Sequence, residues 1–182
     1  MHLQVKKHIL LLTGKPGVGK TTIIQKVVSR LGKSRINGFY TEEVREHGQR
    51  LGFKLVSLSG RHNIIAHVNI DSVYRVGKYN VDVAAIDESV TMTLNPNSDI
   101  DIYLVDEIGK MECLSNRFII AMRALMDSEK VIVATIGKQD HDYMNEVRRR
   151  EDIVLWKVTY ENRDELPERI INWLGHFSPE PR

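Results

Sequence analysis

Eight residues, Gly14-Lys15-Pro16-Gly17-Val18-Gly19-Lys20-Thr21, separate an apolar run from an amphipathic one, and nothing else in this 182-residue chain restricts its fold as much. The run before them, residues 8–13, is short, apolar and halted by a glycine, which is the signature of a buried strand. The run after them, residues 19–31, places Ile23, Ile24, Val27, Val28 and Leu31 on one helical face, with Gly32 as a stop. The eight residues match G-x-x-x-x-G-K-[ST] at every fixed position. The physics requires these types. A loop that wraps an anion with its N–H groups pointing inward needs backbone conformations that a Cβ hinders. The helix that follows aims its positive end at the same point. Such a loop takes a polyphosphate: Lys20 reaches the β- and γ-phosphates, and the Thr21 hydroxyl is a ligand for Mg²⁺.

The rest of the chain fits a strand–helix alternation with one interruption. Residues 39–44, 51–58 and 64–68 read as short strands separated by turn chemistry at Glu46-His47-Gly48-Gln49 and Ser59-Gly60-Arg61-His62. Connections that short join antiparallel strands. Helices are then expected over 83–94, 118–126 (with Ser115 as N-cap), 139–150 and 164–174. Strands are expected over 100–105, 131–136 and 153–158. This order predicts an α/β three-layer sandwich. A mostly parallel sheet carries helices on both faces, and an antiparallel hairpin insertion occupies about residues 38–80 of one domain spanning 1–182. The tail, residues 178–182, reads as frayed.

The strand over 100–105 runs into Asp106-Glu107. Ligands of doubly wound sheets bind at the carboxyl ends of strands, the edge that also carries the glycine loop. Asp106 is therefore expected to hold the Mg²⁺ shell, directly or through water. Glu107, one residue on, is expected to orient or deprotonate an attacking water. Glu112 has two readings, an acid behind this pair or a helix-start residue favoured by the dipole. Lys110 beside it has no assigned role. Arg123 reads either as a cation aimed at the phosphates or as a snorkelling surface residue. Arg148-Arg149-Arg150 reads mainly as a solvated face, and Phe39, Tyr40, Phe53, Tyr74 and Tyr79 mainly as strand packing rather than base stacking.

Composition narrows the classes. Lys and Arg total 26 against 24 Asp and Glu, a net charge of +2, so no global field draws the chain to nucleic acid or to an anionic membrane. No apolar run approaches the ~20 residues of a membrane span. The basic N-terminus lacks a small-residue cleavage site, which favours a cytoplasmic chain over a secreted one. One cysteine, Cys113, precludes an intrachain disulfide, and the seven histidines lack metal-ligand spacing.

Several segments together resemble the small P-loop nucleoside-triphosphatases first described from thermophiles, a family with a human cancer-related member. They are residues 14–22, Gly38-Phe39-Tyr40-Thr41-Glu42-Glu43-Val44-Arg45, Gly52-Phe53 with Ser57-Leu58-Ser59-Gly60, Arg75-Val76-Gly77-Lys78-Tyr79, Val105-Asp106-Glu107-Ile108-Gly109-Lys110-Met111-Glu112 and Thr159-Tyr160-Glu161-Asn162-Arg163. The resemblance implies a P-loop NTPase sandwich. It also implies slow, unselective, Mg²⁺-dependent hydrolysis of ATP, GTP, CTP and UTP to diphosphate and phosphate. By position it extends the nucleotide-binding set through Thr22 and onto Ile102, Tyr103, Leu104, Val105, Asp106, Glu107, Ile108 and Gly109. Arg45, Arg75, Asn162 and Arg163 become candidates for lining the site. Two alternatives stay open: a nucleoside, nucleotide or polynucleotide kinase whose hydrolysis is leakage, and a nucleotide-dependent RNA-binding switch. The near-neutral charge disfavours the switch.

Overall fold

The computed structural model describes residues 7–32, 35–138 and 141–177. β1 (Ile9–Thr13) passes through the glycine loop into α1 (Lys20–Leu31). Five strands follow without a helix: β2 (Ile36–Glu46), β3 (Gln49–Ser57), β4 (His62–His67), β5 (Arg75–Val76) and β6 (Tyr79–Val81). Alternation then resumes with α2 (Val83–Thr93), β7 (Ile102–Ile108), a 3₁₀ turn over Glu112–Leu114, α3 (Asn116–Met126) and β8 (Val131–Ile136). The last elements are α4 (Asp142–Arg148), β9 (Ile153–Lys157) and α5 (Leu166–Gly175).

These strands make one sheet in the order β5-β6-β4-β3-β2-β7-β8-β1-β9. Strands β2, β7, β8, β1 and β9 are parallel to their neighbours within that block. Strand β2 changes partner along its length. Residues 36–39 pair in parallel with β7, and residues 39–46 pair antiparallel with β3. The inserted strands thus extend the same sheet. Strand β8 lies between β1 and β7, so the glycine loop and the acidic pair sit one strand apart on the same edge.

The period of two along β1 builds both layers at once. Ile9 and Leu11 point into a core shared with α2, α3 and α4, while Leu10 and Leu12 point into one shared with α1 and α5. All four are fully buried, as a central strand of a parallel sheet requires. Helix ends follow local chemistry. The Ser115 hydroxyl accepts from Phe118 N–H at 2.9 Å, the cap expected from sequence. Gly32 ends α1 at φ 71°. No helix among the described residues is long and apolar enough to cross a membrane.

Three expectations are revised. The polar helix expected over 139–150 is shorter, Asp142–Arg148, because His141 caps it; Gln139 and the tail 178–182 lie outside the described residues. The hairpin β5–β6 was not expected. Its two-residue Gly77-Lys78 turn, flanked by the Val76–Tyr79 pair, is the glycine-first hairpin signal. Strand β7 does not stop at Val105. It runs through Asp106 and Glu107 to Ile108, and between Val105 and Ile108 it carries one residue more than β8 spends between Ala134 and Ile136. A bulge of this kind re-aims side chains, and here it sits under both acids.

Candidate active site

Residues 14–19 turn the chain from β1 into α1. Gly17 and Gly19 hold φ of 76° and 107°, and a Cβ on Gly14 would stand 2.7 Å from the Val158 carbonyl oxygen. Ile23 N–H closes the first turn of α1 on the Gly19 carbonyl at 3.0 Å. The amides of the three preceding helical residues, Lys20, Thr21 and Thr22, have no partner within the helix and face the loop mouth. Lys20 Nζ donates to the carbonyls of Gly14 (3.1 Å) and Lys15 (3.3 Å), which holds the ammonium over the loop.

Asp106 reaches this loop from β7. It is 2% exposed, and both its oxygens are engaged. Oδ2 accepts from the Thr21 hydroxyl at 2.6 Å and from Thr41 at 3.5 Å; Oδ1 accepts from Thr135 at 2.6 Å. Burial raises its pKa, while the Thr135 and Thr21 hydroxyls, the Thr41 backbone and the Lys20 charge pull it down. Thr135 and Thr41 were not singled out from sequence. A signal for Thr135 existed: it is the one hydroxyl in the wholly buried run of β8, a neighbour of β7.

Glu107 lies at the wall of a cavity of about 740 Å³ that runs from the glycine loop to Phe53 and Val76. The volume suits a nucleotide-sized ligand. Burial and the Asp106 charge raise the Glu107 pKa, and Lys20 lowers it. Glu112 lines the same cavity, is 4% exposed, and is pushed up to about 8 by burial and then by the Glu107 charge. Gly109 makes room for both carboxylates. A Cβ there would stand 2.8 Å from Glu107 Oε1 and 2.8 Å from Glu112 Oε2.

The expected site residues divide sharply. Gly14, Pro16, Gly17, Gly19, Lys20, Thr21 and Thr22 line the cavity from the loop side, Glu107 from β7 and Gly109 from just after it. Lys15 is exposed, and Val18 is buried in the α1–α5 core. Ile102, Tyr103, Leu104, Val105 and Ile108 lie in the sheet rather than on the cavity wall; the Tyr103 hydroxyl donates to the Asn95 carbonyl at 2.6 Å. Their contribution is to hold Asp106 and Glu107 at the right edge.

The remaining candidates are scattered. Arg45 pairs with Glu43 and Arg75 donates to the Gly77 carbonyl, both in the hairpins. Asn162 ties its own loop, accepting from Thr159 N–H and donating to the Lys157 carbonyl. Arg163 alone approaches the glycine loop; its Cδ is 3.7 Å from where a Gly19 Cβ would be. Arg123 forms an exposed ion pair with Glu146 and stacks on Tyr143, far from any phosphate role. Of the arginine run, Arg150 pairs with Asp127 and Asp152, and Arg148 donates to the Gly137 carbonyl. Lys110 lines the cavity, as does Phe53, whose ring meets Tyr79 edge-on at 5.1 Å.

A family profile described as NTPase matches residues 9–171, almost all of the described chain. The chain belongs to this NTPase family. A protein named nucleoside-triphosphatase THEP1 from Thermotoga maritima is 42% identical over 166 residues, covering 91% of this chain and 94% of that protein. The human cancer-related nucleoside-triphosphatase is 38% identical over 91% of this chain and 95% of its own length. The crystal structure of THEP1 from Aquifex aeolicus superposes with a TM-score of 0.84 at 38% identity, covering 91% of this chain and 98% of that one. The solution structure of the human protein gives 0.80 at 34% identity, covering 94% and 100%. This NTPase therefore has the P-loop α/β architecture expected from its sequence.

Proposed function

We propose that this NTPase-family enzyme hydrolyses nucleoside triphosphates to diphosphate and phosphate, slowly and with little selection among bases, and that Mg²⁺ is its cation. One observation carries the reading. The Thr21 hydroxyl of the glycine loop meets Asp106 of β7 at 2.6 Å, and the residue after Asp106 puts a carboxylate into the adjoining cavity. The donor set fits a small hard cation: a hydroxyl and a carboxylate, both oxygen donors. Thr21 would hold the ion, with Asp106 as its charged partner. Held there, the ion would supply positive charge against the triphosphate and the charge that develops on it during transfer.

The chain's own residues supply the rest. Loop amides and the amides opening α1 bind phosphate oxygens. Lys20 neutralises charge that grows on the γ-phosphoryl group and on the leaving oxygen. Glu107 orients a water for in-line attack and takes its proton as the bond from water oxygen to phosphorus forms and the bond to the β–γ bridging oxygen breaks. The diphosphate leaves with that bridging oxygen. Broad base use follows from where the recognition lies, on the phosphates shared by every substrate.

The test is phosphate release from ATP, GTP, CTP and UTP with Mg²⁺, for wild type and Glu107→Gln, with nucleotide binding measured in both. Release from all four, lost in the variant while binding persists, is the expected outcome. Undiminished release in the variant refutes the role of Glu107. The cavity continues past Glu107 to Phe53 and Val76, which is the space an acceptor would need. Transfer of labelled γ-phosphate to an acceptor hydroxyl in place of release would replace the hydrolytic reading with a kinase.

A further inference from the structure

The hydrolytic reading uses Asp106 and Glu107 but leaves a buried acid of the cavity, Glu112, unexplained. Glu112 opens the 3₁₀ turn, and only 4% of it is exposed. It is too deep to be a solvated helix-start residue. Its position is defined by Gly109: Glu112 Oε2 and Glu107 Oε1 approach the same point above that Cα, each 2.8 Å from where a Cβ would sit. The two side chains come from either side of a single Ile108-Gly109-Lys110-Met111 link, so the separation of their carboxyl groups is set by local backbone.

From this convergence we infer that Glu112 is a positioning residue for hydrolysis, one that holds the Glu107 carboxylate in its water-orienting pose across Gly109. This inference rests on the hydrolytic reading. Burial favours the acid form of Glu112, whose titration is pushed up to about 8. In that form it offers one O–H donor to the Glu107 carboxylate. The hydrogen bond restrains a rotatable side chain at the cavity wall. It adds no negative charge next to the γ-phosphate. Misplacing a catalytic group by about 1 Å costs up to about 10²-fold in rate, so a restraint of this kind acts on turnover rather than on affinity.

The experiment compares Glu112→Gln, Glu112→Met, Glu112→Asp and Glu107→Gln in the full chain, with kcat and KM for ATP plus Mg²⁺ and a melting temperature for each. Gln retains an N–H donor at the same reach, and its kcat is expected to stay within about threefold of wild type. Met keeps length and removes the donor; Asp keeps the acid but withdraws it by one methylene. Both are expected to lose about tenfold or more in kcat with KM changed by less than about twofold. Two substitutions of different chemistry keep the test decisive if one of them fails to fold. A folded Met or Asp variant with wild-type kcat overturns the inference, and so does a Gln variant as slow as the Met variant. A mere capping role would lower the melting temperature and leave kcat alone. If Glu107→Gln itself turns over normally, the hydrolytic reading has failed; if Glu107→Gln is dead while Glu112→Met is fully active, only the role of Glu112 has.

Discussion

Removing the Thr135 hydroxyl tests how Asp106 is kept inside the protein. Asp106 is 2% exposed and is held by two hydroxyls at 2.6 Å, Thr21 on one oxygen and Thr135 on the other. Thr135→Val preserves shape, so it opens no cavity and isolates the hydrogen bond. A hydrogen bond to a charged group contributes about 1.5–3 kcal/mol, and its loss leaves a buried carboxylate oxygen unsatisfied. For a chain of this size each kcal/mol moves the melting temperature by about 2–4 °C, so a fall of about 3–12 °C is expected where Asp106 is ionised. The sign of the pH dependence follows from the direction of the Asp106 shift. Burial outweighs the hydrogen bonds and raises its pKa in the folded state, so the ionised form costs stability and that cost is relieved as the pH falls through the folded value. The Thr135 bond chiefly supports the ionised form. The deficit of Thr135→Val is therefore largest in mild alkali and shrinks on acidification. Scanning calorimetry of both proteins in chelator, stepped from mild alkali into acid for as long as both proteins refold, reads this directly. Equal melting temperatures at the alkaline end, or a deficit that stays constant across the series, would refute the reasoning.

Three further outcomes are expected. Lys20→Ala should abolish phosphate release and weaken triphosphate binding, measured by titration with a fluorescent nucleotide; normal turnover would remove the glycine loop from the site. Arg123→Ala should leave both turnover and melting temperature indistinguishable from wild type, because its ion pair with Glu146 is on the surface; a loss of kcat would make it a transition-state cation. Cys113, 4% exposed with its thiol pushed up to about 12, should react with a thiol reagent far more slowly than a free cysteine, since its thiolate fraction near neutral pH is about 10⁻⁴ or less. Unfolding in denaturant should restore ordinary reactivity, and rapid labelling of the native protein would contradict its burial.

Features that depend on neighbours along the chain were legible without a structure. The glycine loop, the helix behind it, the Ser115 cap and the strand–helix alternation each rest on spacings of a few residues, where propensity and periodicity act directly. Asp106 and Glu107 were legible as well, since an apolar strand ending in acids is a local pattern. The bulge under them was not, because it is defined by the register against β8. The partners of Asp106 depend on strand order too: Thr135 stands out locally only as the one hydroxyl of a buried strand, Thr41 not at all, and both matter because β8 and β2 flank β7, pairings closed over 29 and 65 residues for the contacts they make with Asp106. Among the arginines, charge and segment did not distinguish Arg163, which approaches the loop, from Arg45 and Arg75, which serve hairpins; long side chains take their role from whatever the fold sets within reach. Glu112 shows the division within a single motif. Its sequence distance from Glu107 allows two readings, and burial beside Gly109 chooses the acid behind the pair. The sequence by itself determined which chemistry the chain carries and at which edge of a parallel sheet it lies. Which hydroxyls satisfy the buried acid, and which acid faces Glu107, only the tertiary structure decided, because strand order and desolvation are properties of the assembled core.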